Sequence, residues 1–409
     1  MINIIAIDRI LVLLLLIALA VILVARRFAI PYTLGLVVVG LLISLFGFLP
    51  DIHLTPELVL FVFLPALLFE GSWTIHVQQL RANWVPIFLL AVPGLLLSLI
   101  LIAVLVHFFA GLQWSYAFLL GAILSPTDPV AVLGLFRQLK VDSRLSAIIE
   151  GESLFNDGIA GALYQTFLTI VLLSLSGHAI SGAAAWASGL STFVVEAGGG
   201  ALLGLVCGFL LSRFVTFIDD PLIETTITII SAYGVYLLAD FLHVSGILTL
   251  IVATLIFGSY GRRIGMSEHT REAVDNFWGI AAFIANALLF LLVGAELNPL
   301  RYFSSVAAYS LLFPAAVAVV AVLLARLAMV LMLRFFTHLL GGSILFSWRF
   351  VIYWSGLRGA LSLALVLALP IEIPVRDILL FSTYMVVLFT LLVQGLSLRF
   401  ILKRLPSVS

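Results

Sequence analysis

Asp128 and Asp157 are the residues of this chain most able to do chemistry, because each lies inside a long apolar run. A charge at that depth in a bilayer costs at least about 2.5 to 3.5 kcal/mol on insertion scales, so each one needs a partner or a task. Asp128 belongs to the cluster Ser125, Pro126, Thr127, Asp128, Pro129. Pro126 and Pro129 have no N–H to donate, so the carbonyls of Ala122 and Ser125 lose their helical partners and the helix is expected to break there. Freed carbonyls, the Thr127 hydroxyl and the Asp128 carboxylate make an all-oxygen cluster of the kind that suits a hard cation. Asp157 closes a second cluster, Glu152, Ser153, Leu154, Phe155, Asn156, Asp157. Helical spacing puts Ser153, Asp157 and Gly161 in one row, with Glu152 and Asn156 in a parallel row about 100° away. Gly161 would let another helix or an ion approach closely. A third cluster, Gly356, Leu357, Arg358, Gly359, places an arginine at membrane depth. Arg358 stays protonated and requires a carboxylate, and Glu152 with Asn156 beside it is the expected partner.

These clusters need helices to hold them, and the composition says in which solvent. The 409 residues are 63% apolar and 10% charged, whereas a soluble domain carries about 25% charged residues. With Lys+Arg 20 against Asp+Glu 20 there is no basic surface for nucleic acid and no acidic tail. Cys207 is the one cysteine, and the seven histidines offer no pair at metal-ligand spacing, so neither a disulfide framework nor a resident cofactor is expected. Apolar runs long enough to span a bilayer fall at 10–25, 31–49, 57–73, 84–109, 115–136, 145–174, 184–218, 222–240, 246–260, 273–297, 303–335, 348–369 and 378–401. Thirteen spans result, with 184–218 taken as one long helix. Fifteen basic residues then fall on one side, among them Arg26, Arg81, Arg137, Arg213, Arg262 and Arg404, against Arg9, Arg301 and Arg376 on the other. That asymmetry places the N-terminus outside and the C-terminus in the cytoplasm. Residues 1–409 read as a single transmembrane domain with no soluble one. The first run is not a cleaved signal peptide, since Arg26 and Arg27 occupy the place of a small-residue cleavage site.

The two broken helices are spans five and twelve. Being seven spans apart, their equivalent positions have opposite orientation in the membrane, which is the pattern of an inverted repeat with a transport site at the midplane. Other charged residues have plainer readings. Glu70 and Glu296 sit at span ends, Glu196 beside Gly198, Gly199 and Gly200 suits close helix packing, and Arg326 is expected to snorkel toward the cytoplasmic face.

The motifs "SPTDPVAV" from Ser125 and "GESLFNDG" from Gly151 together resemble the paired signature of the monovalent cation/proton antiporters related to sodium/proton exchangers. "LLFEGSW" at 67–73, "NALLFLLVGAEL" at 286–297 and "GLRGALSLAL" at 356–365 resemble further segments of that family in the family's order. The one small departure is Ser125, in a place often held by alanine. The resemblance implies an all-α polytopic membrane protein of thirteen helices in two inverted six-helix repeats, with spans five and twelve unwound and crossing. It also implies a homodimer, with spans one to three and seven to ten as the dimerising scaffold and spans four to six and eleven to thirteen as a mobile ion-translocating core. Carried over by position, Asp157 is the ion and proton carboxylate, Asp128, Thr127, Ser153 and Glu152 contribute to the cation site, and Asn156 and Arg358 organise it. A chain ending soon after Arg404 fits a prokaryotic member in a plasma membrane.

The expected function is therefore secondary antiport of Na⁺, Li⁺ or K⁺ for H⁺, with cation and proton competing at Asp157. One neutral amide at Asn156 and a Glu152 already balanced favour electroneutral one-for-one exchange. Two other classes are weaker. An intramembrane hydrolase using Asp128 and Asp157 lacks a histidine or lysine near a deep serine, and a cation channel would need a continuous polar pore where only isolated polar patches occur.

Overall fold

The computed structural model describes residues 4–28, 31–46, 55–176, 183–296, 308–339 and 344–405. The described residues form helices, named here in chain order: α1 (Ile4–Phe28) and α2 (Tyr32–Phe46); α3 (Pro56–Thr74) and α4 (Trp84–Ala110); α5 (Trp114–Leu124), α6 (Val130–Leu139) and α7 (Ser143–Leu175). Next comes α8, which runs from Ala183–Phe193 through a π turn at Val194–Gly198 into Gly199–Val215. The remainder are α9 (Pro221–Phe241), α10 (Gly246–Ile264) and α11 (Glu268–Glu296); α12 (Ala308–Leu339), α13 (Phe346–Trp354) and α14 (Ala360–Leu367); and α15 (Arg376–Arg404). Ten of the helices among the described residues are long and apolar enough to cross a membrane. The thirteen expected spans all have helical counterparts, and 184–218 is one rod as expected. Arg301, assigned to the outer side, lies outside the described residues.

Span five is α5 and α6, separated at 125–129, and span twelve is α13 and α14, separated at 355–359. The first break follows from its prolines. The second contains no proline and is held open by what passes beside it, described below.

Packing sorts the helices into two groups. α12 lies against α4 and α15, and α5 against α4 and α7. In the other group α2 packs along α11, α8 along α10, and α3 and α9 against both α10 and α11. Small residues allow these approaches: a Cβ on Gly204 or Gly208 of α8 would stand 2.6 Å from the Thr249 or Ala253 carbonyl of α10. Asp275 of α11 ties the second group together, accepting from Trp73 Nε1 of α3 at 2.8 Å and pairing with Arg262 of α10 at 2.6 Å. The groups meet where α7 lies on α10. A Cβ on Gly161 would stand 2.8 Å from Ile247, so a helix rather than an ion occupies the close approach at that glycine.

Candidate functional site

The two breaks touch, and four helix ends converge there. Asp128 N–H donates to the Leu357 carbonyl at 2.8 Å. Its carboxylate accepts from Val130 N–H at 3.0 Å and from Ala360 N–H at 3.2 Å, so one negative charge caps the starts of both α6 and α14. Helix N-termini carry unpaired donors and partial positive charge, which is why an anion belongs between them.

The opposite ends carry unpaired carbonyls, and arginines meet them. Arg358 Nη1 donates to the Ser125 carbonyl at 2.6 Å and the Pro126 carbonyl at 2.8 Å, at the end of α5. The Ala122 carbonyl, the other one freed by proline, accepts from the Ser125 hydroxyl at 3.2 Å. At the end of α13 the Ile352 carbonyl accepts from Arg326 Nε at 3.1 Å and Nη2 at 2.9 Å. Each broken span thus has an arginine neutralising its C-terminal carbonyls, a favourable placement for a cation.

This arrangement corrects three expectations. Arg358 does not pair with Glu152: its side chain is spent on the carbonyls of the first break. The partner of Glu152 is Arg326, which contacts Oε1 through Nη1 and Oε2 through Nη2, the latter at 3.1 Å. Arg326 does not snorkel; it is 3% exposed and Glu152 is fully buried. A Cβ on Gly356 would stand 2.7 Å from Arg326 Nε, so that glycine keeps the second break open for the guanidinium. Finally, the freed carbonyls are consumed by Arg358 and Ser125 rather than left as cation ligands.

The remaining predicted residues join α7 to the first break. Ser153 Oγ donates to the Thr127 carbonyl at 2.6 Å, and Asn156 Nδ2 donates to Thr127 Oγ1 at 2.9 Å. Thr127, Asp128, Ser153 and Asp157 line one cavity of about 710 Å³, while Glu152, Asn156 and Arg358 lie behind it. Asp157 has no ion-pair partner among the described residues. The cavity passes Glu70 and Glu150 and reaches the exposed side chains of Arg26, His76 and Arg137. Sequence reasoning left Glu150 out altogether; its signal was its place two helical turns before Asp157. In chemical terms the site offers at the breaks one free carboxylate and one carboxylate already holding two backbone N–H groups, together with hydroxyl and carbonyl oxygens, and two further carboxylates, Glu70 and Glu150, toward its mouth. That donor set binds a hard monovalent cation or a proton and provides no nucleophile–base pair.

The chain has relatives among known proteins. The family model described as sodium/hydrogen exchanger, transmembrane, matches residues 12–404. The low-affinity Na⁺/H⁺ antiporter NhaS1 of Synechocystis sp. is 38% identical over 384 residues, spanning 93% of this chain and 70% of that protein. The Na⁺/H⁺ antiporter NhaH of Halobacillus dabanensis is 34% identical, with 97% of each chain covered. The structure of the sodium proton antiporter MjNhaP1 from Methanocaldococcus jannaschii superposes with a TM-score of 0.77 over 97% of this chain and 98% of that one, at 20% identity, a likeness of fold.

Proposed function

The chain belongs to the sodium/hydrogen exchanger family, whose model matches it from residue 12 to 404, and from that premise we propose that it exchanges Na⁺ for H⁺ by secondary antiport at Asp157. The observation that carries this reading is the contrast between the three carboxylates around the breaks. Glu152 is held by Arg326 and Asp128 by two backbone N–H groups, while Asp157 faces the cavity without an ion-pair partner among the described residues. Of these three, Asp157 is left to take its counter-charge from the cargo, so a cation and a proton exclude one another there. The exchangers named among the relatives are antiporters, which supports this reading over a hydrolase or a channel.

The two packing groups support an elevator division, with α4–α7 and α12–α15 as the moving core and α1–α3 and α8–α11 as the scaffold. The cavity lies between them, walled by α2, α3 and α11 on one side and by α6, α7 and α14 on the other. With the arginine-rich face in the cytoplasm of a plasma membrane, its mouth at Arg26 and Arg137 makes this an inward-facing arrangement. Exposed apolar side chains along α1 and α8, such as Leu16 and Phe209, suit lipid or a second copy in a homodimer.

Proteoliposomes carrying an internal pH dye test the function directly. Added Na⁺, and Li⁺ or K⁺ in separate runs, should drive proton movement across the membrane; no movement with any alkali cation would overturn the reading.

A further inference from the structure

We propose that Thr33 of α2 and Asn286 of α11 form a scaffold-side subsite for the cation, a pair of neutral oxygens that receives it on its way to Asp157. This deepens the antiport reading and rests on it. Thr33 Oγ1 and Asn286 Oδ1 are both buried, and neither has a hydrogen-bond partner among the described residues. Leaving a buried polar atom unsatisfied costs about 1–3 kcal/mol, which a cation ligated by both oxygens would recover. Both residues line the cavity that also holds Asp128 and Asp157. Asn286 lies there by design of its helix: Gly279, Ala282, Phe283 and Asn286 all line the cavity at the i, i+3, i+4, i+7 spacing of one face.

α2 and α11 run side by side at this level, where the Tyr32 and Phe283 rings lie 5.5 Å apart. α2 and α11 meet so closely at Gly40 and Gly294 that a Cβ on either would overlap backbone of the other helix. On the core side the Thr127 carbonyl accepts from Ser153 and the Thr127 hydroxyl from Asn156, while Asn156 Oδ1 and the cavity-lining Ser362 Oγ are unpartnered among the described residues, so the scaffold pair faces core oxygens able to take the cation over. Amide and hydroxyl oxygens supply hard, uncharged ligands. Uncharged ligands hold a cation weakly, which suits capture and release to Asp157. Because the subsite sits on the scaffold, it acts before the core moves and should set apparent Na⁺ affinity without setting the rate of crossing.

The experiment measures proton flux against Na⁺ concentration in proteoliposomes for the wild type, Thr33→Val, Thr33→Ser and Asn286→Leu. Thr33→Val and Asn286→Leu are expected to raise the KM for Na⁺ about 3- to 10-fold each, the loss of one polar contact, with the maximal rate nearly unchanged. Thr33→Ser, which keeps the hydroxyl, should restore the wild-type KM. An unchanged KM for Thr33→Val, or a loss of maximal rate alone, would overturn the subsite and leave both residues as packing. Thr33→Val preserves side-chain shape, so it decides the matter even where Asn286→Leu lowers the melting temperature. A wild type with no cation-driven flux would instead overturn the antiport reading itself.

Discussion

Arg326 and Glu152 form a buried ion pair in which the guanidinium also holds the Ile352 carbonyl at the end of α13. One side chain therefore locks α7, α12 and the second helix break together. Removing one member of such a pair strands the other charge, at a cost of about 3–5 kcal/mol, whereas removing both costs less. Arg326→Ala should thus lower the melting temperature in detergent sharply, and Arg326→Met combined with Glu152→Gln should recover much of the loss. The same double-mutant cycle run on Arg358 and Glu152 should be additive. Coupling between Glu152 and Arg358 larger than that between Glu152 and Arg326 would show that the pair is misassigned.

Gly359 makes a separate prediction. Its φ of −150° is open to any residue, so the constraint is space: a Cβ there would overlap the Asp128 carboxylate. Gly359→Ala must push that carboxylate off the Ala360 N–H and should weaken cation binding about tenfold, roughly the worth of one charge-assisted hydrogen bond. Gly198→Ala, where a Cβ meets nothing within 4 Å, is the control and should leave flux unchanged. Equal Na⁺ affinity in wild type and Gly359→Ala would mean that Asp128 is not positioned as described.

Asp157 and Asp128 should respond differently to the same change. Asp157→Asn removes a charge that no group among the described residues holds, so the melting temperature should barely move while cation-driven proton flux is lost. Asp128→Asn removes the anion that caps two helix starts, a placement worth about 0.3–2 kcal/mol, so it should lower both melting temperature and cation affinity while leaving residual exchange. Near-normal flux in Asp157→Asn would remove the basis of the proposed function.

The sequence carried the site better than its wiring. The break at 125–129 was legible because a proline's missing N–H is a property of the residue itself, and the helical row of Ser153 and Asp157 because it is local geometry. The partner of Glu152 was not, because which helix faces which is decided by packing between distant segments. Depth was a usable signal: Arg326 lies thirteen residues before the end of α12 at Leu339, about 20 Å at 1.5 Å per residue, too far for a snorkelling side chain. The second break was anticipated at Arg358, but its cause was hidden, since Gly356 stays small for an arginine that comes from another helix. Thr33 and Asn286 were invisible as a pair for the same reason, each being one polar residue in an apolar helix.

The charges around the breaks lead to a stoichiometry. Two arginines, Arg326 and Arg358, balance two carboxylates, Glu152 and Asp128, and the Asn156 amide adds no charge. Around the breaks Asp157 is left as the group whose charge the cargo must cancel, by one Na⁺ or one H⁺. Asp128, whose carboxylate accepts from the N–H groups of Val130 and Ala360, is the other carboxylate at the breaks facing the cavity, and one-for-one exchange requires it to keep one charge through the cycle. Exchange should then be electroneutral. With the membrane potential clamped by K⁺ and valinomycin, flux at fixed Na⁺ and pH gradients is expected to be the same at every imposed potential. Acceleration by either sign of potential would show that net charge crosses with the core, and that Asp128 takes up a proton when the cation leaves.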